Sequence, residues 1–396
     1  MQRRRFLGAG SAALASLAPF SAHSDVAAAP GQVSAACMPV VRSRFAPPRL
    51  VEPVRASPDR LIDIGVCTRP FRLQGPRIEA EHLHGKTIVH HYGHGGSGWS
   101  LSWGSAHATL PLILQTKARR VAVLGCGAIG LTTARVAQDA GLRVRIYCRD
   151  RPPEVASSQA TGMWTPDSRI CSSEFASPEF AQRWESMARK SFKTYQSLIG
   201  IPGEPVQWRD GYALSDVPFD QEVPGGEHGE PDYPDLNARV ADLRPRTVPL
   251  SAGEHPFRVP HVRRFTQMVF NIRTYQRVLM EDFLRNGGEI VHREFSHSRE
   301  LAGLPERVLV NCTGYGARAL FGDDSLVPVR GQTARLPPQK EVDYVLIYRG
   351  HNLVMVPRQD GLLVQAQGEH DFGNADVSVD RELSEAAAVR LANLFF

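Results

Sequence analysis

The chain has 396 residues, of which 42% are hydrophobic and 22% are charged, a composition typical of a globular enzyme. A chain of this length buries about three quarters of its unfolded surface and suggests about two domains. The formal net charge is +5, but Arg3, Arg4 and Arg5 supply three of these charges, and the remaining excess is too small to predict nucleic-acid binding. The sequence has no apolar run of about 18 residues, so no stable membrane insertion is predicted.

The N-terminus has the pattern of an export signal. Arg3-Arg4-Arg5-Phe6-Leu7 is a twin-arginine pattern, and the weakly apolar stretch from Gly8 to Phe20 follows it. We therefore predict a signal peptide over residues 1–24 that the twin-arginine export machinery recognises, and a periplasmic or extracellular location in a bacterium. A disordered basic tail is the alternative. Residues 25–58 are rich in Ala, Pro and Arg and are predicted to form a linker or an irregular arm.

Two segments with functional residue types follow the arm. The first is Thr68-Arg69-Pro70-Phe71-Arg72, in which an arginine taken by itself is more typical of a surface salt bridge. The second is the glycine loop His91-Tyr-Gly-His-Gly-Gly-Ser-Gly98. His90, His91 and His94 are metal-ligand types, but no carboxylate or cysteine completes a ligand spacing, so no metal site is predicted.

A strand–turn–helix–strand unit comes next. Val121–Leu124 is a continuous apolar run typical of a parallel strand buried on both faces, and Val144–Ile146 predicts a second strand. The residues from Ala128 to Ala140 have helical spacing, and Gly141 is a typical C-cap. Such a unit is the context in which a glycine fingerprint binds a dinucleotide.

The fingerprint itself is Gly125-Cys-Gly127-Ala-Ile-Gly130. The first glycine makes a tight turn, the second lets a pyrophosphate approach the backbone, and the third allows the helix to pack closely on the strand. The helix that begins at Ala128 and Ile129 would offer its unpaired N–H groups to the phosphates. The alternative is a glycine-rich turn in an ordinary α/β protein.

An acidic residue with the spacing of a ribose ligand follows the fingerprint. Asp150 lies twenty residues after Gly130, near the end of the second predicted strand. Arg149 next to it would instead suit the 2′-phosphate of NADP, which leaves a nicotinamide-dependent reductase as an alternative.

The six cysteines predict buried thiols rather than a disulfide framework. Cys126 lies inside the fingerprint, Cys148 and Cys312 end predicted strands, and no CxxC pair is present.

The remaining chain predicts a β-rich region and then a return of the nucleotide-binding pattern. Residues 200–260 contain many prolines and glycines around short strand-like pieces such as Trp208 to Leu214. An amphipathic helix is predicted from Tyr275 to Asn286, with strands at Ile290–Phe295 and Val308–Asn311.

Several of these segments resemble the D-amino-acid oxidase family. Arg149 to Gln159, followed by Gly162-Met-Trp164-Thr-Pro166, is similar to the family segment that wraps the FAD adenosine and then passes the flavin ring. Val310–Gly314 and Val329–Gln332 resemble two further family segments, although 166–260 matches loosely. The resemblance implies an α/β fold in which an FAD-binding Rossmann-type domain is interleaved with an antiparallel β-rich substrate domain.

The order of the segments differs from that of the family. The block from Arg69 to Gly104 resembles the C-terminal end of these enzymes, yet it precedes the fingerprint that normally opens them. The sequence therefore predicts a circularly permuted member. In the predicted division, 59–165 plus 258–330 form the FAD-binding domain, and the substrate domain is formed by 166–257 plus 331–396.

The resemblance also implies roles for individual residues. Arg69 would clamp the substrate carboxylate, Gly96 would offer its carbonyl to the substrate amine, and N–H groups of the glycine loop would face the pyrimidine side of the flavin. Val354 lies near a position where the family has a pocket tyrosine, so Tyr344 and Tyr348 are the candidate substitutes. The candidate cofactor-binding residues, from the fingerprint and from the resemblance, are Gly95, Gly98, Trp99, Ser100, Gly125, Gly127, Ala128, Ile129, Gly130, Arg149, Asp150, Ser157, Ser158, Gln159, Gly162, Met163, Trp164 and Gly314.

The leading expectation is thus an FAD-dependent oxidase of an amino acid, expected to be of the D series, or of a related amine. The enzyme would pass a hydride from Cα–H to flavin N5 and use O2, giving an imino product and H2O2. The alternatives are a dehydrogenase that passes electrons to a quinone or carrier, and a flavoprotein that has lost catalysis.

Overall fold

The computed structural model describes residues 51–221, 229–366, 368 and 370–396. The predicted signal peptide, most of the predicted arm and Cys37 lie outside these residues. Within the described part of the chain, no helix is both long enough and apolar enough to cross a membrane.

The fold consists of fourteen strands and six α-helices among the described residues. The strands are β1 (Asp63–Arg72), β2 (Arg77–Leu83), β3 (Lys86–Tyr92), β4 (Arg120–Leu124), β5 (Arg143–Cys148), β6 (Val206–Ser215), β7 (Val248–Leu250), β8 (His261–Phe270), β9 (Glu289–His292), β10 (Val308–Asn311), β11 (Leu326–Leu336), β12 (Val345–Tyr348), β13 (Leu353–Arg358) and β14 (Gly361–Ala366). The helices are α1 (Gly98–Leu114), α2 (Ala128–Asp139), α3 (Pro178–Gln196), α4 (Ile272–Arg285), α5 (Ala317–Phe321) and α6 (Arg381–Ala392).

The smaller sheet has six strands in the order β2-β3-β10-β4-β5-β9. The pairs from β3 to β9 are parallel, and β2 is an antiparallel edge strand. Strand β4 is buried on both faces, because Val121 and Val123 join one apolar cluster while Ala122 and Leu124 join another. This arrangement explains the continuous apolar run from Val121 to Leu124.

The larger sheet has eight strands in the order β1-β11-β14-β13-β12-β6-β8-β7. Its pairs are antiparallel except for β12 with β6. The mixed α/β fold with one mainly parallel and one mainly antiparallel sheet agrees with the predicted fold class.

The division into an FAD-binding domain and a substrate domain stays a prediction. Two strands that it assigns to the FAD-binding domain belong to the larger, eight-stranded sheet. Strands β1 and β8 fall within 59–165 and 258–330, yet both belong to the eight-stranded sheet. Strand β8 pairs with β6 and β7, and β1 has a partner that is far away in the sequence. Strand β1 pairs with β11 from Asp63 opposite Arg335 to Arg72 opposite Leu326, and local sequence patterns contain no information about such a partner.

Helix α3 is an element that the sequence analysis did not predict. It begins after Ser177, whose side chain caps the helix by accepting a hydrogen bond of 3.2 Å from the Phe180 N–H. Its buried face packs Trp184 and Tyr195 into the main core. Other boundaries shift by a few residues: α4 begins three residues earlier than predicted, at Ile272, and β9 ends at His292.

Candidate active site

A cavity of about 770 Å³ opens at the carboxyl ends of β3, β4, β5 and β10. Because these strands are parallel, their carboxyl ends share one edge of the sheet, which is where α/β sheets bind ligands. The volume lies in the range of about 300–1,000 Å³ that is usual for small-molecule and cofactor sites. Two further segments complete the wall of the cavity. Strand β1 contributes Arg69, and the turn at residues 165–169 contributes Thr165 and Arg169.

Each glycine of the fingerprint has a distinct steric reason. Gly125 has φ +104°, and a Cβ there would lie 2.6 Å from the Cys312 carbonyl oxygen. A Cβ at Gly130 would collide with the Gly125 carbonyl, so these two glycines serve the packing of the protein itself. A Cβ at Gly127 would meet only Ser157 Oγ, at 3.4 Å, and the position faces the cavity. The second glycine therefore leaves room for a ligand.

The N-terminus of α2 points its donors at this site. The Ala128 N–H donates a hydrogen bond of 3.0 Å to Ser157 Oγ, and Ile129 lines the cavity beside it. First-turn N–H groups have no acceptor within their helix and attract anions. The residues present thus suit a pyrophosphate at this helix end.

Arg149 and Asp150 both line the cavity and bind each other. Arg149 Nε donates to Asp150 Oδ2 at 2.8 Å, and Arg149 Nη1 lies 3.5 Å from Glu294 Oε1. The hydrogen bond to Asp150 raises the pKa of the Arg149 guanidinium. Two carboxylates around this arginine would repel the 2′-phosphate of NADP, which disfavours the nicotinamide alternative.

The Ser157-Ser158-Gln159 segment divides between the cavity and the core. Ser157 and Gln159 line the cavity. Ser158 does not, because its hydroxyl donates to Gln276 Oε1 on α4 at 3.0 Å. Trp99 Nε1 donates to the Ser157 carbonyl at 2.8 Å and so fixes this segment to the N-terminus of α1.

The backbone N–H groups of Gly95 and Gly96 do not point into the cavity as the resemblance implied. The Gly95 N–H donates to the Pro70 carbonyl at 2.9 Å and the Gly96 N–H to the Ser168 carbonyl at 3.0 Å, so neither amide faces the cavity as a free donor. Both glycines are required by close packing, since a Cβ on either would collide with Ser168 or Arg169.

The first turn of α1 presents two of the candidate residues to the cavity. Gly98 and Trp99 begin this helix and line the cavity. Their N–H groups have no intrahelical acceptor, and the positive end of the helix dipole points with them. Of the candidate donors in this segment, the N–H groups of Gly98 and Trp99 thus remain available at the cavity, whereas those of Gly95 and Gly96 do not.

Besides Gly130 and Ser158, four further candidate cofactor residues lie behind the cavity wall rather than on it. The Ser100 hydroxyl accepts a hydrogen bond of 2.8 Å from the Thr165 N–H. Met163 forms a β-bridge with Val269, and Trp164 is fully buried. Gly162, with φ +90°, packs against the backbone of β8. These residues hold the wall segment in place.

Arg69 lies in the cavity wall with its guanidinium held from behind. Nη1 donates to the Arg330 carbonyl at 2.8 Å, and the guanidinium lies against Gly331, where a Cβ would be 2.6 Å from Cζ. Burial lowers the pKa of Arg69, and the charge of Arg169 nearby acts in the same direction. Gly96 and Gly314 line the same cavity.

Neither candidate pocket tyrosine lines the cavity. Tyr344 is buried in the core of the larger sheet, where its hydroxyl donates to the Glu52 carbonyl. The hydroxyl of Tyr348 donates to Asp216 Oδ1 at 2.8 Å. The expectation fails because the sequence could not fix the register of β12 in the sheet. Gln365 of β14, which the sequence analysis did not single out, lines the cavity.

Two buried histidines of the cavity wall were not among the predicted cofactor residues. His91 Nδ1 lies 2.8 Å from Thr133 Oγ1, while His91 Nε2 and both nitrogens of His94 have no hydrogen-bond partner among the described residues. Burial lowers the pKa of His94 to about 3 and holds that of His91 well below its usual range. Such orphaned polar atoms fit a polar cofactor in the cavity.

The cysteines and the histidines carry no sign of a metal site in the part of the chain that the structure describes. The five cysteines found there are buried free thiols, as the sequence predicts. No cluster of three His, Cys, Asp or Glu side chains suitable for a metal occurs among these residues.

The fold and the cavity together define a dinucleotide-binding α/β protein. Residues 120–395 match the family described as DAO, FAD dependent oxidoreductase, and the chain belongs to this family. FAD is therefore its cofactor. The D-amino-acid oxidase of Streptomyces coelicolor is 29% identical over 69% of this chain and 77% of its own length. The D-amino-acid oxidase of Rubrobacter xylanophilus is 30% identical over 55% of this chain and 59% of its own length.

A solved structure gives a weaker similarity. The FAD-bound L-alpha-glycerophosphate oxidase of Mycoplasma pneumoniae has a TM-score of 0.42 and 12% identity over 70% of this chain and 78% of that chain.

Proposed function

We propose that the protein is an exported oxidase of amino acids, with the D series as the expected substrates, or of related amines. It would transfer a hydride from the substrate Cα–H to flavin N5 and use O2 as the acceptor, with an imino product and H2O2. FAD, when bound, supplies the hydride acceptor. The single observation that carries the proposal is the half-buried Arg69 in the same cavity as the fingerprint.

Arg69 suits a substrate carboxylate because a guanidinium has five donors in a planar fork and binds carboxylates through two parallel hydrogen bonds. One donor, on Nη1, is used by the Arg330 carbonyl. That bond fixes the plane of the guanidinium and leaves the other donors for a ligand. A carboxylate held in this way would fix the orientation of the Cα–H bond, which supports hydride transfer as a pre-positioned step.

The proposed hydride transfer needs no general base in the cavity. A substrate amine that binds in its neutral form would donate to the carbonyl of Gly96, which lines the cavity. His91 and His94 are neutral near pH 7 because burial lowers the pKa of each. Negative charge that develops on the cofactor would be stabilised by the N-terminus of α1.

Circular permutation is part of the proposal. The family match begins at Arg120, so the segment from β1 to α1 precedes the matched region. Helix α6 packs beside the turn Pro58–Arg60 that leads into β1, and Leu391 shares an apolar cluster with Val54. In the family order, the counterpart of α6 would lead directly into that of β1, and this proximity supports such a connection.

A rearranged gene tests the permutation. A chain that begins just before Arg120 and joins Phe396 to Pro58 by a short flexible linker is expected to fold and bind FAD. A rearranged chain that is insoluble or colourless, while the natural order is yellow, would contradict this part of the proposal. Export is tested separately by fractionating cells that express the natural N-terminus and a variant with Arg4→Lys and Arg5→Lys.

An anaerobic substrate screen tests the oxidase function. The purified holoprotein is mixed with D-amino acids, their L enantiomers, N-methyl amino acids and amines, and bleaching of the flavin absorbance is followed. Bleaching by one substrate class, with H2O2 formed when air is admitted, is the expected result. Bleaching that only an artificial dye reverses would identify a dehydrogenase instead. Absence of bleaching across the panel would favour a flavoprotein that has lost catalysis.

A further inference from the structure

Two cysteines lie side by side at the adenosine end of the cavity. Cys126 is the second residue of the fingerprint and Cys148 ends β5, next to the strand that precedes the fingerprint. The Gly125 N–H donates a hydrogen bond of 2.8 Å to the Tyr147 carbonyl. Cys126 follows Gly125 in the chain and Cys148 follows Tyr147, so this bond holds the two cysteines at neighbouring strand ends. The β4–β5 ladder ends at Leu124 opposite Tyr147, and strands in such a ladder lie about 4.8 Å apart. The two cysteines follow this last pair by two residues and by one residue, which places them near the Cα separation of about 4.4–6.8 Å that a disulfide spans.

Both thiols line the cavity and belong to the same buried cluster. Each thiol interacts with the other, and Cys148 also interacts with Arg151. The interaction with Cys126 and the charge of Arg151 lower the pKa of the Cys148 thiol. Burial raises the pKa of Cys67, Cys171 and Cys312.

Cys148 is therefore the most readily ionised of the described cysteines. Because the thiolate is the form that oxidants attack, oxidation should be selective for this residue. Cys126, which follows the neighbouring strand and lines the same cavity, is the resolving thiol.

We propose that Cys126 and Cys148 are a modification site, at which hydrogen peroxide forms a disulfide in the FAD-free protein and thereby lowers its affinity for FAD. The Cys148 thiolate attacks peroxide, the O–O bond breaks, and a sulfenic acid and hydroxide form. The Cys126 thiol then attacks the sulfenic sulfur, the S–S bond forms, and water leaves. Hydroxide takes up the released proton, so two thiols and one peroxide give one disulfide and two waters.

The proposed function would supply the peroxide, and to this extent the inference rests on it. A disulfide here would lower the affinity for FAD because the fingerprint turn is tightly packed and cannot adjust to it. Gly125 already packs against Cys312 and Gly130 against Gly125, so the turn cannot move without disturbing these contacts. Shortening the sulfur–sulfur distance to about 2.05 Å would strain this turn. FAD in the cavity would in turn cover both thiols.

The effect of the disulfide on FAD and of FAD on the disulfide must be equal in free energy, because the two are linked. FAD-free protein and holoprotein are treated with added H2O2, and their cysteine peptides are mapped by mass spectrometry without reduction. The FAD affinity of each treated apoprotein is then measured by flavin fluorescence. We expect a Cys126–Cys148 cross-link in the FAD-free protein, protection by FAD, and a loss of affinity of roughly tenfold, which a dithiol reverses.

The Cys148→Ser variant controls for the oxidised residue, since its FAD affinity should not respond to peroxide. The Cys171→Ser variant, altered in a buried thiol outside the cavity wall, should respond as the parent does. Absence of the cross-link would overturn the inference, and so would a cross-link that leaves FAD affinity unchanged. Because peroxide is added, these outcomes are independent of whether the protein is an oxidase, which the substrate screen decides.

Discussion

The substitution Gly331→Ala would displace the Arg69 guanidinium without removing it. Gly331 lies in β11 opposite Cys67, and a Cβ built there is 2.6 Å from Arg69 Cζ and Nη2 and 2.7 Å from Nη1. Gly331 does not have a positive φ, so alanine introduces no backbone strain. The guanidinium is the flexible partner and must retreat by about 0.8 Å to reach an ordinary contact distance of 3.4 Å.

The size of the effect follows from this displacement. Misplacing a positioning group by about 1 Å can cost about 100-fold in rate. A factor of 100 corresponds to about 2.7 kcal/mol. We therefore expect kcat/KM for a carboxylate substrate to fall by roughly 30- to 100-fold. FAD affinity should stay close to that of the parent, because Gly331 does not line the cavity.

Steady-state peroxide formation with the substrate found in the screen measures the effect, and flavin fluorescence reports cofactor binding. Gly303→Ala is the matched control, because a Cβ there has open space and its φ is not positive. Arg69→Ala sets the full cost of losing the clamp. If Gly331→Ala and Arg69→Ala both retain the parental kcat/KM for carboxylate substrates, the assignment of Arg69 to the carboxylate is wrong.

Two further predictions concern the cofactor end of the cavity. Gly127→Ala places a methyl group where only Ser157 Oγ is near, at 3.4 Å, so the protein should fold normally. FAD affinity should fall by about 10- to 100-fold, since overpacking costs about 1–3 kcal/mol; normal FAD affinity would show that the pyrophosphate does not approach this backbone. Burial lowers the pKa of His94 to about 3, so the folded protein binds fewer protons there than the unfolded chain and loses stability as the pH falls below about 6.5. His94 should account for about 2 kcal/mol of the loss between pH 7 and pH 5, and urea unfolding of FAD-free His94→Gln should lack that part; an equal loss in both proteins would contradict this reasoning.

The sequence predicts the unit from β4 to β5 well, because its signals are local. The apolar run of β4, the glycines of the turn and the start of α2 at Ala128 all lie within thirty residues of each other, and each has a direct physical meaning. Helix α3 was missed although Ser177 and Pro178 form a typical helix start. This start signal lies within the segment 166–260, which resembles the family only loosely, so the resemblance implied no helix there.

Long-range pairing explains the remaining differences. The ladder between β1 and β11 joins residues that are more than 250 positions apart, and no local pattern encodes it. Tyr344 and Tyr348 were assigned by analogy of position along a strand, and a small shift of register is enough to move a side chain out of a cavity. His91 and His94 had a signal, since both are in the glycine loop, but their burial depends on α2 and β3 packing together.

The glycine loop shows why a motif identifies a site more reliably than it identifies the role of each residue. Gly95 and Gly96 are small because the turn that contains Ser168 and Arg169 packs on them, and their N–H groups are used by Ser168 and by Pro70 of β1. The loop thereby connects β3 of the smaller sheet to β1 of the larger one. Residues 63–104 contribute Arg69, the strand β3 next to β10, and the N-terminus of α1. Their deletion should therefore abolish FAD binding and folding together, and a truncated protein that remained yellow would contradict the assignment of the cavity.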